Sequence, residues 1–555
     1  MTEPIRLGTR ASQLARTQSA AVGAALSESS QRPWLEVLVR TPGDDTTKPL
    51  DQPGSPGLFV STLRRALLAG AVDVIVHSFK DLPSAPEPGI VLAAVPVRAD
   101  PRDALVSRDG RRFADLPAGS TVGTSSPRRT AALARLRPDL VFTPIRGNVD
   151  TRIGRVRDGE VDATVLAVAG LSRIGRTAEI AEILDGLLPA PAQGALAVEC
   201  REDDADMRAL VAALDDPQAR LVTSAERHVL VGINAACTTA VAALATYESG
   251  QLRLRAELTM YGRHATADLV ESCAPTDVAR ARALGLRASA VLAGSERPVL
   301  LIRSEGNESD AESLDQFGIA SITEPYVRIT PMLDGADAAS LVALLRASAA
   351  DTDRAENTWL VATSPMTVPS WLTASGRAGL TEAIALAAAA GVRAAATGER
   401  TAATLRDLGF REVRVPQEAS ARGLVADLAG VTPGRALFPR GNLALRTLPD
   451  GLRELGWEVD EGVVYRTTTV PERPASADMI EQAQVSAVVV RSPSAVRALV
   501  THAQVPASVP VVCPGRTTAE AAIEAGLAVA AVATSPSSAD VARAVAGLLG
   551  SAGRA

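Results

Sequence analysis

The sequence predicts an α/β protein of several domains, and three observations lead there. Short β-type runs alternate with Ala/Leu/Arg-rich helical stretches almost throughout, one segment breaks the alternation, and the C-terminal half repeats its own order of turns and helix starts. Alternating strands and helices favour parallel-rich sheets covered by helices. With 555 residues, about three to five domains are expected, each able to bury a core without staples.

Apolar, β-branched runs at 34–39, 72–76, 164–168, 299–302 and 487–490 read as strands, and stretches at 63–68, 131–136 and 341–350 as helices. Residues 252–260 read as a strand and 277–292 as the helix after it, giving a smaller α+β unit near 217–295. Ala293-Gly-Ser-Glu-Arg-Pro298 reads as a linker, so the main boundary is expected there. Beyond it, Thr363-Ser364-Pro365, Gly398-Glu-Arg-Thr401-Ala402 and Ser420 come in the same order as Ser492-Pro493, Gly515-Arg-Thr-Thr518-Ala519 and Ser537-Ser538. Each unit places a hydroxyl and free backbone N–H groups at a helix start, which suits an anion; taken singly, these residues equally suit plain N-caps. The repeat argues for two similar α/β domains.

Composition excludes several classes. Aromatic residues are 3% of the chain and the net charge is −6, with 57 basic and 63 acidic side chains. A base-stacking or basic nucleic-acid binder is not expected. Four cysteines with no C-x-x-C spacing argue against a zinc ribbon or dithiol motif and suit a reducing compartment. His77, His228, His264 and His502 are scattered without ligand spacing, so no metal is expected. The N-terminus has no apolar signal region, and the apolar tract at 383–390 is too short to span a bilayer. A cytoplasmic protein without membrane or nucleic-acid partners is the expectation.

Chemistry concentrates between residues 8 and 237. Gly8-Thr9-Arg10-Ala11-Ser12 ends a strand and opens a helix, and His77-Ser78-Phe79-Lys80-Asp81-Leu82-Pro83 follows the 72–76 run. Ligands of α/β sheets bind at such strand ends, and a Lys-Asp pair there suits a cationic intermediate held against a carboxylate, or a solvated ion pair. From Thr121 to Arg176 ten arginines stand against five acidic residues, many after Gly, Ser or Pro turns. Arginine forks match carboxylates or phosphates, so a polyanionic ligand is implied. Arg135, Arg137, Arg155 and Arg157 fit an exposed charged face better.

These motifs together resemble porphobilinogen deaminase (hydroxymethylbilane synthase), from about Ile5 to Leu292: 9–15, 77–83, 121–129, 146–152, 166–173 and 193–201 occur in the family's order. The half after the linker is similar to uroporphyrinogen-III synthase, through Thr363-Ser364-Pro365, Thr401-Ala402, Val464-Tyr465-Arg466-Thr467, Ser492–Val496 and Thr518-Ala519.

The resemblance implies a bifunctional tetrapyrrole-biosynthesis enzyme. The first half would join four porphobilinogen into hydroxymethylbilane, releasing ammonia, on a dipyrromethane cofactor attached by a thioether to Cys237. Ser126, Arg128, Arg129, Lys80 and Asp81 would bind that cofactor; Arg10, Ser12, Gln18, Arg146, Arg152, Arg173 and Gln193 would bind substrate. Asp81 would be the catalytic carboxylate, stabilising the azafulvene cation formed as ammonia leaves, with Lys80 assisting. Ala235, Ala236 and Ala240 depart from the family's usual Gly-Gly and Pro around the cysteine, and the 51–56 loop lacks its usual lysines. Cys200, Cys273 and Cys513 read as small packing residues.

The second half would close the linear tetrapyrrole with inversion of its last ring, giving uroporphyrinogen III. Tyr465 is the candidate donor to the leaving hydroxyl, or else a packing residue, and Thr363, Ser364, Thr401, Ser492 and Thr518 are candidate binding residues. Arg491 and Arg516 are atypical, which leaves a non-catalytic synthase-like binding module as the alternative. A solute-binding module without catalysis is a further rival to the first half. The implied fold is two periplasmic-binding-protein-like domains (1–98 with 196–214, and 99–195), a small α+β domain (215–293), a linker (294–298) and two flavodoxin-like domains (299–330 with 467–555, and 331–466). The enzyme is expected to act as a monomer on small molecules.

Overall fold

The computed structural model describes residues 3–39, 58–84, 87–233, 239–260, 263–295, 297–303, 309–332, 336–374, 377–418 and 420–552. They form a mixed α/β protein with five sheets. Two compact units divide the chain: Met1–Glu324 with Glu472–Ala555, and Pro325–Pro471.

In the first unit, one sheet runs in the order 34–38, 5–9, 74–78, 196–201, 90–94 and a second in the order 141–143, 121–123, 163–167, 103–107, 182–183. Each combines parallel strands with one antiparallel insertion: Leu196–Arg201 pairs antiparallel with Val74–Ser78, and Asp103–Ser107 with Ala163–Ala167. The chain therefore crosses between the two sheets twice, after Ile90–Ala94 and before Leu196–Arg201. The crossings touch, with Ala99 N–H donating to Gly194 O at 3.3 Å. The strand expected at 72–76 begins at Val74 instead, because Asp73 is held by the Arg6 backbone and guanidinium (2.9 and 2.6 Å) just before the ladder starts.

The third sheet is an antiparallel meander, Ala240–Glu248, Gln251–Met260 and Arg263–Ser272, covered by helices Pro217–Gly232 and Val278–Leu292. Ser249 and Gly250 both take positive φ (50° and 78°), as a two-residue hairpin loop requires. Leu252, Leu254 and Ala256 face Leu221, Ala225, Leu284 and Ala288 in its core. Asp277 caps the second helix through Arg280 N–H.

The repeat places its two copies on separate sheets. Thr358–Ala362, Arg393–Ala396 and Val413–Arg414 are successive parallel strands of the sheet in the 325–471 unit. Ala487–Val490, Val511–Cys513 and Val529–Val532 follow the same succession in the sheet that Val299–Arg303 joins. Gly398 and Gly515 are the equivalent helix caps; Ser492 caps its helix through Ala495 N–H, while Ser364 closes a turn with Met366 N–H just before the helix Thr367–Ala374. The compact-unit boundaries fall at 324/325 and 471/472, so the sheet containing Val299–Arg303 belongs to the same unit as the N-terminal half. No helix among the described residues is long and apolar enough to cross a membrane.

Candidate active site of the N-terminal half

The site residues are carried by strand ends and helix starts around the double crossing. Strand Val74–Ser78 ends in a 3-10 turn, Phe79–Asp81, that is pinned on three sides. Phe79 N–H donates to Ala195 O at 3.0 Å. Arg227, on helix Pro217–Gly232, donates to Leu82 O at 2.9 Å and to Pro83 O, and its guanidinium lies 5.3 Å from the Phe79 ring centroid. Gln18, buried, donates to Ser78 Oγ at 3.0 Å. This fixed turn leaves the Asp81 side chain exposed and the Lys80 ammonium turned inward, donating to Gln193 Oε1 at 3.1 Å.

Gln193 is fully buried and passes the connection to the second sheet: its amide donates to Pro101 O (2.7 Å) and to Asp103 Oδ1 (2.9 Å). Asp103, 0% exposed, accepts from Arg128 (2.8 Å) and from two nitrogens of Arg129 (3.2 and 2.7 Å). Both arginines sit in the first turn of helix Pro127–Leu136, whose cap is Ser126 with Pro127 at the first position. Arg129 also donates to Val165 O (2.6 Å) and Arg128 to Leu188 O (2.7 Å). Lys80, Gln193, Asp103 and the arginine pair thus form one hydrogen-bonded chain across two sheets.

Electrostatics tie further residues to this chain. Burial pushes the Lys80 ammonium down to about 8; Asp81 and Asp103 oppose that, and Arg129 and Arg128 add to it. Burial also lowers the Arg152 guanidinium, with Arg129 pushing the same way and Asp81 opposing. Burial would raise the Asp103 carboxyl, but Arg129 and Arg128 hold it well below the usual carboxylate range. Four cations, Lys80, Arg128, Arg129 and Arg152, therefore act on one another around two carboxylates. Arg173, lowered by burial, donates to Gly194 O at 2.7 Å. Arg10 stands on the turn after Ile5–Thr9, Ser12 caps helix Gln13–Ser30, and Arg146 is exposed on the turn before helix Val149–Arg157.

A polycarboxylate fits this set. Arg128 Nε is buried with no hydrogen-bond partner among the described residues. Arg152 and Arg173 donate to backbone carbonyls, Arg152 Nε to Gly147 O at 3.0 Å, and pair with no carboxylate within ion-pair distance among the described residues. Cys237 lies outside the described residues, as do Ala235, Ala236 and the 51–56 loop. The thiols of Cys200 and Cys513 are buried and pushed up to about 11 by that burial, which makes them poor nucleophiles.

Three groups went unrecognised in the sequence. Asp103 is the anion that fixes the arginine pair; its one signal is an acid opening the apolar run Ala104-Leu105-Val106. Glu226, 0% exposed, holds Arg98 (2.7 and 2.9 Å), Ala192 N–H (2.6 Å) and Ala245 N–H (2.8 Å), joining both crossings to the third sheet. Glu199 lies between Arg64 (2.6 Å) and His77 (3.5 Å), opposite Ile75 in the strand that leads into the Phe79–Asp81 turn.

In the C-terminal half, Tyr465 is 9% exposed within a hydrophobic core, its ring against Gly441, where a Cβ would meet it at 2.6 Å. Thr401 and Thr518 are buried inside their helix starts. Ser364 Oγ accepts from Met366 N–H (3.2 Å) in the turn before its helix, Ser492 Oγ accepts from Ala495 N–H (3.2 Å) as an N-cap, and Thr363 O accepts from Thr397 Oγ1 (3.0 Å). Arg491 pairs with buried Asp310 at 3.4 Å and donates to Pro536 O at 2.8 Å.

Residues 5–209 match the family model described as porphobilinogen deaminase, dipyromethane cofactor binding domain, and residues 308–542 match that of uroporphyrinogen-III synthase HemD. The chain is 47% identical over 318 residues to the porphobilinogen deaminase of Nocardia farcinica, covering 56% of this chain and 91% of the relative. It is 53% identical over 260 residues to that of Thermobifida fusca, covering 46% and 81%. A solved uroporphyrinogen III synthase mutant from Thermus thermophilus aligns at 19% identity and a TM-score of 0.33, covering 46% of this chain and 99% of that one.

Proposed function

We infer the chemistry of this chain from its membership: it belongs to the porphobilinogen deaminase family, with a uroporphyrinogen-III synthase module following in the same chain. It is a bifunctional enzyme of tetrapyrrole biosynthesis, a transferase and a lyase. The first half joins porphobilinogen into hydroxymethylbilane with release of ammonia; the second cyclises that product to uroporphyrinogen III.

The observation that carries the site assignment is the group of four cations around Asp81 and Asp103. Arg128, with its open Nε, and Lys80, Arg129 and Ser126 would hold the carboxylates of dipyrromethane, with Cys237 its covalent anchor. When bound, that cofactor supplies the acceptor end to which substrate is joined. Arg152, Arg173, Arg10 and Arg146 would bind the acetate and propionate groups of incoming substrate, with Ser12, Gln18 and Gln193 lining the same cleft. Asp81 would accept pyrrole N–H groups and face the positive charge that develops as ammonia departs. A fixed carboxylate stabilises such charge without reorganising in the transition state. The pinned Phe79–Asp81 turn supports that role.

In the second half, Tyr465 would donate to the leaving hydroxyl, and Thr363, Ser364, Thr401, Ser492 and Thr518 would bind the substrate. Catalysis there is chiefly a matter of holding one conformation. The five sheets suit a division into three deaminase domains, the first two periplasmic-binding-protein-like, and two flavodoxin-like synthase domains. The enzyme would act in the cytoplasm as a monomer.

The test is the product formed from porphobilinogen. Ammonia release with mainly the type III macrocycle is expected. Ammonia release with the type I isomer alone would leave the second half a binding module, and no ammonia release would overturn the whole assignment.

A further inference from the structure

We propose that the part of the synthase module in the first compact unit, 299–324 with 472–555, is docked on the helix Val278–Leu292 as a fixed partner, not tethered loosely behind it, and that Arg282 is the pin between them.

Helix Val278–Leu292 ends the deaminase half. It lies so close to helix Pro217–Gly232 that a Cβ on Gly285 would meet Ala225 O at 2.3 Å and His228 Cβ at 2.6 Å. The same helix packs against Ser476–Glu481 of the synthase module, where Met479 and Ile480 are 2% and 0% exposed. Arg282 stands at this contact. It pairs with Glu472 and acts electrostatically on His228, on its own side, and on Glu324, across the contact. Glu324 is 5% exposed and accepts Ala475 N–H at 3.0 Å and Ser476 N–H at 2.7 Å, so it fixes the start of the helix that Val278–Leu292 meets. The end of the linker is fastened too: Arg297 donates to Val485 O at 3.3 Å, and Ser486 N–H to Pro298 O at 3.0 Å.

The parts have separate tasks. The packed helices Val278–Leu292 and Ser476–Glu481 supply the contact area. The Arg282 charge, set against two carboxylates of the other module, supplies register and orientation more than affinity. A linker this short gives an effective concentration on the order of millimolar, so a modest interface stays closed. Helix Pro217–Gly232 is followed in the sequence by the segment holding Cys237, so, on the function proposed above, this contact buttresses the helix that precedes the cofactor anchor.

Hydrogen exchange on the full chain tests this, comparing wild type with Arg282→Glu, Glu472→Arg and the double variant. Arg282→Glu sets a like charge against Glu324 and is expected to speed exchange at 476–482 and 297–303 by about tenfold or more. The Gln251–Met260 and Ala487–Val490 strands should keep wild-type exchange, and the double variant should recover part of the loss. Should Arg282→Glu loosen Gln251–Met260 as well, Glu472→Arg decides from the synthase side: faster exchange at 476–482 with both strands intact supports the docking. Unchanged exchange at 476–482 in these variants would overturn it, whatever the activity of either half.

Discussion

On the function proposed above, Lys80 makes the site sensitive to alkali. Its ammonium, pushed down to about 8, is present below that pH and lost above it, so a cofactor carboxylate held by it would be held less well as pH rises through about 8. Loading of the cofactor onto the apoprotein is expected to weaken above pH about 8 in wild type, and Lys80→Arg, whose charge persists, should lack that fall; superimposable profiles would contradict the assignment. Asp103 is the second test. Asp103→Asn leaves Arg128 and Arg129 without their buried anion, and losing one partner of a buried ion cluster costs about 3–5 kcal/mol. An earlier urea transition and failure to load cofactor are expected. Tyr465→Phe keeps the ring against Gly441 and removes only the hydroxyl, so a fall in type III product at unchanged stability would mark a direct role, and unchanged product a packing one. The turn-borne arginines were legible in the sequence because Gly, Ser and Pro before an arginine fix its place locally. Asp103 was not, because its partners lie 25 and 26 positions downstream and meet it only when the second sheet forms.

At the scale of elements, the turn before Leu196–Arg201 is the most demanding feature. Ala192 and Gly194 both have positive φ (62° and 88°), and a Cβ on Gly194 would stand 2.4 Å from Ala99 O. Gly194→Ala strains the crossing that carries Gln193, at a cost of about 1–3 kcal/mol, and is expected to lower kcat together with stability; wild-type kcat would show that this turn does not position Lys80. Strands and helices were readable where a run is apolar on both faces, as at Ala487–Val490, or where a cap marks the start, as at Asp277. The 72–76 run was misjudged by two residues because the Arg6–Asp73 contact, a tertiary one, sets where the ladder begins. The Thr/Ser–Gly repeat was readable because each copy must start its helices with the same turn chemistry.

At the scale of the molecule, the order of modules follows from local motifs, but the way they group does not. The linker is marked by composition, whereas the grouping of the Val299–Arg303 sheet with the deaminase half brings together residues such as Arg282 and Glu472, which no local pattern connects. The double crossing follows from no local pattern, since it rests on strands that return to a sheet more than a hundred positions later; in the sequence it is implied only by the family resemblance, which joins 1–98 with 196–214. The function proposed for the first half turns on a covalent bond between Cys237 and the dipyrromethane cofactor. The measurement that tests it most directly is the intact mass of the purified chain beside its Cys237→Ala variant. The account predicts an excess of two porphobilinogen units less two ammonia in wild type and none in the variant. A wild-type chain, folded and supplied with porphobilinogen, that carries no excess, or a variant that keeps it, would contradict the account.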